Sequence, residues 1–168
     1  MAVDIEDLEL VALKLVTDFD FYRNKNIFIT GGTGFFGKWL LESFMYLNDV
    51  HKLNIAVTII SRAPQKFLEG HSKIANHKKF RFVQGDVRTF SYFFEEFDLI
   101  IHLAGKSGVR ESINDPAGYW RNNVEVSKRL FSRYPETRIL YASSSSVYGN
   151  ATSIPIQENF VKNPINPY

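Results

Sequence analysis

The chain has 168 residues, 45% of them hydrophobic and 23% charged, a net charge of +2 and no cysteine. That length suits one domain with a substantial core, and the near-neutral balance gives no basis for a disordered chain or a nucleic-acid partner. The cysteine count excludes disulfides, thiolate metal sites and a Cys nucleophile. No apolar run approaches a membrane span, and the acidic start does not read as a signal peptide, so the expected location is cytoplasmic with no membrane partner.

The first 24 residues precede any strand. Ile5, Leu8, Ala12, Leu15 and Phe19 fall at helical spacing and Asp4 is a candidate cap, which predicts a helix packed on the domain surface or used in a dimer. A strand is expected over 26–30, then a glycine-rich turn from Thr30 to Gly37, then a helix over about 35–48 that buries Leu40, Phe44 and Leu47. Ile55 to Ile60 is a second strand, nearly continuous in apolar residues, as a sheet covered on both faces requires. Residues 62–79 read as a basic, irregular segment. Strands follow over 80–83 and 97–101. Pro116 opens a long helix reaching Tyr134, with Trp120, Val124, Ser127 and Phe131 on one face, and a fifth strand, expected to be buried, covers 138–141. The remainder reads as loop, and its Asn150-Ala151-Thr152 sequon reads as chance.

Strands alternating with helices imply a doubly wound parallel α/β sheet, whose ligands lie beyond the carboxyl ends of the strands. Chemistry-bearing residues stand at those ends. After the first strand, Gly31 permits a tight turn, Gly34 lets backbone approach a pyrophosphate and Gly37 lets the helix pack closely. The helix's first N–H groups then face the phosphates. The spacing is G-x-x-G-x-x-G rather than G-x-G-x-x-G. After the second strand comes Arg62 with no nearby acid. It either pairs with a 2′-phosphate, favouring NADP, or is a solvated surface arginine. After the third, Asp86 is placed to accept from an adenine amino group, or is an ordinary turn aspartate followed by Val87. After the fourth, Leu103, Ala104 and Gly105 are small enough at their key positions for a cofactor to pass. His102 reads as structural, because no second metal ligand is suitably spaced. After the fifth, Ser143 to Ser146 precede Val147-Tyr148-Gly149, where a hydroxyl can meet a substrate oxygen.

Together these residues resemble the extended short-chain dehydrogenase/reductase superfamily, in particular the NAD-dependent epimerase/dehydratase family acting on nucleotide sugars. The T-G-x-x-G-x-x-G turn is Thr30 to Gly37, with Thr33, Phe35 and Phe36 among its variable positions. The H-x-A-[AG] strand end is His102 to Gly105. Val109, Ser112, Pro116 and Tyr119 lead to Asn122-Asn123-Val124, where Asn122 is expected to help hold NAD or NADP. The serine block matches with the catalytic Ser/Thr on Ser144, and the tyrosine of P-Y-x-x-x-K falls on Tyr168. The resemblance implies a Rossmann-like fold, a tyrosine base, a serine that orients the sugar hydroxyl, no metal, a nucleotide-sugar substrate and, in some members, a homodimer.

Three departures matter. The lysine four residues after Tyr168 lies beyond this chain, as does the family's substrate domain. The expectation is therefore a helical extension (1–24) and an incomplete NAD(P)-binding domain (25–168), inactive alone and truncated before the substrate-binding domain. Ser145 and Ser146 stand where 4,6-dehydratases carry Asp-Glu, which ranks epimerisation, reduction or oxidative decarboxylation above dehydration. Arg62 stands where such epimerases usually carry an acid. The alternative function is a non-catalytic NAD(P)-binding sensor or scaffold, which would need neither Ser144 nor Tyr168.

Overall fold

The structure is a computed structural model that describes residues 3–168. Five parallel strands form one sheet: β1 (Asn26–Thr30), β2 (Ala56–Ser61), β3 (Phe80–Gln84), β4 (Leu99–His102) and β5 (Arg138–Tyr141), in the order β3-β2-β1-β4-β5. The chain winds outward from β1 to β3, then returns to the other side of β1 for β4. The carboxyl ends of β1 and β4 therefore diverge into a crevice.

Period-two alternation assigns each strand two faces. Ile27, Ile29, Val57, Ile59, Leu99 and Ile101 point to one side. There they meet Leu41, Phe44 and Leu47 of α3 (Phe35–Asp49) and Ala12 of α1 (Ile5–Leu15). Phe28, Ile60 and Ile100 point to the other, against Phe97 and against Leu130 of α8 (Val126–Arg133) and Tyr134 beyond it. Both faces are covered, which is why the middle positions of the central strands are almost all apolar, with Thr58 the exception and Asn26, Thr30, Ser61 and His102 at strand ends.

The expected strand bounds are close, except that the fourth starts at Leu99; Phe97 is buried just ahead of it. Four expectations need correction. The N-terminal stripe holds from Leu8 to Phe19 but not on one helix: α1 buries Leu8 and Ala12, Leu15 and Phe19 pack half-buried on the core, and Ile5 is exposed. A 3-10 turn at Val16–Asp18 then redirects the chain into α2 (Phe19–Tyr22). The basic segment is not irregular. Pro64 opens α4 (Pro64–Glu69), and α5 (Ser72–Ala75) buries Ile74, a residue hidden among surface lysines. The long helix does begin at Pro116, as α7 (Pro116–Tyr119), after a short α6 (Val109–Asn114). It continues through a π-helical stretch, Trp120–Glu125, into α8. Its buried face is Tyr119, Val126, Ser127, Leu130 and Tyr134, so Ser127 of the expected stripe is inside while Trp120 and Phe131 are exposed. The aromatic cluster around Phe28 selects Tyr134 and Leu130 instead. Finally, β5 is mostly exposed rather than buried, because it pairs only with β4 and forms the sheet edge.

Candidate functional site: a cleft at the switch point

A cleft of about 1060 Å³ lies over the carboxyl ends of β1 to β4, at the top of the range of about 300–1,000 Å³ for cofactor sites. Gly31, Thr33 and Gly34 enter it from the turn after β1, Ser61 and Arg62 from β2, Asp86, Val87 and Arg88 from β3, and Leu103, Ala104 and Gly105 from β4. Asn122, Arg121, Glu125 and Arg129 form the opposite wall. Residues far apart in sequence meet here because parallel strands all end on one edge.

The turn after β1 has no room to spare. Gly31 has φ +73°, and a methyl there would lie 2.7 Å from the Ala104 nitrogen. A side chain at Gly37 would collide with the backbone of Gly32, so Gly37 closes the helix onto the turn itself rather than onto a strand. Gly32 was not singled out by its spacing, yet a methyl there would lie 2.7 Å from Ile59 Cγ2. Gly34 stands at the N-cap of α3 and offers no side-chain cap, and the first turn of that helix carries no acid. The N-terminal donors of a 15-residue helix are thus left for an anion. Phe35 and Phe36 turn their rings to solvent and pack edge-on against each other.

At β3, Asp86 is engaged by its own neighbour. The Arg88 guanidinium reaches both carboxylate oxygens, at 2.6 to 3.1 Å, and the Arg88 N–H donates at 2.9 Å. These contacts hold the Asp86 carboxyl down to about 2. Arg129 in turn donates to the Phe90 carbonyl at 3.0 Å and to the Arg88 carbonyl, tying this turn to α8.

At β4, His102 is a buried structural hub. Its Nδ1 is 2.5 Å from Thr30 Oγ1 and its Nε2 is 3.0 Å from Ser127 Oγ. Ser127 gives its proton to the Asn123 carbonyl at 2.7 Å, so Ser127 accepts from His102 Nε2–H. Thr30 Oγ1 accepts from the Ala104 N–H at 3.2 Å and donates its own proton to Nδ1. One neutral tautomer satisfies every group, and burial lowers the imidazole pKa to about 4. The next turn is clamped by Asn123, whose side chain accepts from the Lys106 N–H at 2.8 Å and donates to the Lys106 carbonyl at 2.9 Å. Asn122, the residue expected to hold cofactor, lines the cleft and anchors its amide on the Gly118 carbonyl at 2.9 Å.

Ser144 and Tyr168 lie outside the walls of this cleft. Ser144 caps a 3-10 turn, Ser145–Tyr148, accepting from the Ser146 N–H at 3.1 Å, which leaves its own proton free to donate. Tyr168 packs edge-on to Tyr119 at 6.2 Å between ring centres. The terminal segment folds back on the serine turn, since a side chain at Gly149 would collide with the Asn163 carbonyl.

Sequence reasoning missed Arg88, Arg121, Glu125 and Arg129, and it placed Asn123 in the Asn122-Asn123-Val124 pattern without its clamp on Lys106. The signals were there: Arg121, Glu125 and Arg129 recur at four-residue spacing on one helix face, and Arg88 sits two residues after Asp86. Among the described residues no cluster of three or more potential metal ligands occurs, and no helix is long and apolar enough to cross a membrane.

Comparison with known proteins agrees with this geometry. The model of the NAD dependent epimerase/dehydratase family matches residues 27–168. The chain is 31% identical over 160 residues to the bifunctional UDP-glucose 4-epimerase and UDP-xylose 4-epimerase 3 of Arabidopsis thaliana, covering 86% of this chain and 43% of that protein. Among solved structures, it resembles the UDP-N-acetylglucosamine 4-epimerase of Methanobrevibacter ruminantium M1 in complex with UDP-N-acetylmuramic acid. There the identity is 27%, the TM-score 0.69, and the match covers 87% of this chain and 46% of that one. The UDP-glucose 4-epimerase of Brucella ovis in complex with NAD gives 25% identity and a TM-score of 0.62 over 86% of this chain and 43% of that one. The chain spans less than half the length of these relatives.

Proposed function

The chain belongs to the NAD dependent epimerase/dehydratase family, and from that premise we propose that it is the dinucleotide-holding part of an oxidoreductase acting on nucleotide sugars. Residues 25–168 are the NAD(P)-binding unit, and the helices ahead of them are an addition that shares its core. The observation that carries this reading is the cleft at the β1/β4 switch point. It combines an uncapped helix N-terminus, a turn that excludes side chains and four converging strand ends.

The residues present fit a nicotinamide dinucleotide. The N–H groups of Phe35, Phe36 and Gly37 would hold the pyrophosphate, and Gly31, Thr33 and Gly34 would shape its bed. Asp86 and Val87 would border the adenine, and Leu103 to Gly105 with Asn122 would flank the nicotinamide half. When bound, the dinucleotide supplies a hydride acceptor. Tyr168 would take the proton from a sugar hydroxyl, and Ser144 would orient that hydroxyl with its free O–H. Free tyrosine has a pKa near ~10, so the base needs a cation beside it. The position four residues after Tyr168, where the family carries lysine, is outside this chain. Ser145 and Ser146 provide no carboxylate for elimination, which favours 4-epimerisation, reduction or oxidative decarboxylation over dehydration.

The test is calorimetric titration of the 168-residue chain with NAD and NADP, alongside a turnover assay on UDP-glucose and UDP-xylose. Saturable binding of a dinucleotide without measurable turnover is expected. Failure of both dinucleotides to bind would end the cofactor reading, and robust turnover would end the claim that this chain alone is inactive.

A further inference from the structure

We infer that the dinucleotide taken by this cleft carries a 2′-phosphate, and that Thr33, Ser61 and Arg62 hold it. The inference rests on the cleft being a dinucleotide site, and it narrows the ligand to NADP.

The sequence offered only Arg62. The fold adds two hydroxyls to it. Thr33 sits in the turn after β1 and Ser61 is the last residue of β2, yet their side-chain oxygens lie 3.1 Å apart, both half-buried. The parallel pairing of β1 with β2, Thr30 opposite Ile60, makes this meeting unavoidable. Ser61 Oγ also accepts from the Ala63 N–H at 3.4 Å, which fixes it toward the start of α4. Arg62 follows at the exposed rim and makes no ion pair among the described residues.

This end of the cleft is where the adenosine ribose of a dinucleotide sits, beside the end of the second strand. An unsubstituted ribose presents two hydroxyl protons, and a carboxylate is the side chain that accepts both. Here no carboxylate stands at the end of β2. The groups present are two rotatable O–H donors and a guanidinium. They match a phosphate monoester, which is acceptor-only when fully ionised and carries about −1.5 to −2 charge at neutral pH. The acid nearest in the neighbouring turn, Asp86, is held by three contacts from the Arg88 side chain, so its charge is compensated before any ligand arrives. Arg62 and Arg88 against Asp86 leave a net positive rim.

The experiment is calorimetric titration of the 168-residue chain with NADP, NAD, adenosine 2′-monophosphate and adenosine 5′-monophosphate, for wild type, Arg62→Ala and Ser61→Asp, each checked for folding by circular dichroism. Arg62 is exposed, so its removal leaves the core intact. Wild type is expected to bind NADP at least about tenfold more tightly than NAD, and the 2′-monophosphate more tightly than the 5′ isomer. Arg62→Ala should shrink the NADP/NAD ratio by about tenfold or more, the loss of a hydrogen bond to a charged group. Ser61→Asp should invert the preference. Equal or tighter NAD binding by wild type, or an unchanged ratio in Arg62→Ala, overturns the inference while leaving the cofactor reading standing. If neither dinucleotide binds any variant, both fall.

Discussion

Acidification tests the packing beneath the cleft through one group, His102. Its side chain is buried between β1 and α8, and every polar atom around it is satisfied by the neutral ring. The folded-state pKa is lowered to about 4, from an ordinary value of 6.5, by burial. Between those values the unfolded chain binds a proton that the folded chain refuses, so stability rises with pH across that window. The contribution is fully present above pH 6.5 and is lost as pH falls toward 4. A gap of about 2.5 pH units, at about 1.36 kcal/mol each, gives about 3 kcal/mol, a large share of the roughly 5–15 kcal/mol of a typical domain. The assay is urea unfolding at pH values from 7 to 4, comparing wild type with His102→Asn, which has no group titrating in this range. The variant is expected to be weaker at pH 7, because Thr30 and Ser127 lose a partner, but its stability should fall about 3 kcal/mol less on acidification. Parallel pH slopes for the two proteins, or a His102 proton resonance titrating near pH 6.5, would refute the argument.

Two further outcomes are expected. Gly31→Ala should destabilise the fold by about 2 kcal/mol or more and abolish dinucleotide binding. The residue holds φ +73°, and the added methyl meets strand-end backbone at 2.7 Å, whereas a left-handed conformation alone costs about 1–2 kcal/mol. Gly70→Ala is the control: its φ is −89° and the nearest atom would be 3.8 Å away, so urea midpoints should stay level or rise slightly. In a form extended by a substrate-binding half, Tyr168→Phe should lower kcat by about 10²–10⁴-fold and Ser144→Ala by about 10²-fold, both with little change in KM. A KM effect without a kcat effect would remove them from the chemistry.

The alternation of apolar strands with helical segments, and the placing of glycines and small residues at strand ends, were legible in the sequence because both are local. A buried parallel strand must be apolar on both faces, and a tight turn that admits phosphate must lack Cβ atoms. Five strands and the cleft's glycine floor follow from that much. What the one-dimensional pattern could not show was which faces are chosen and which distant side chains meet. Period alone put Trp120 and Phe131 inside. The aromatic cluster around Phe28 took Tyr134 and Leu130 instead, since packing against a particular partner, and not hydrophobicity, selects the face. A run of lysines concealed Ile74, because one buried residue in a short helix leaves no periodicity to read.

By itself, then, the sequence determined the order of elements and the residue types at each strand end. Only the tertiary structure decided their company. Asp86 is claimed by Arg88, His102 is locked between Thr30 and Ser127, and Thr33 lies against Ser61 across 28 residues of chain. Strand register brings such residues together, and register arises from the packing of the whole sheet, where no local stretch carries the information.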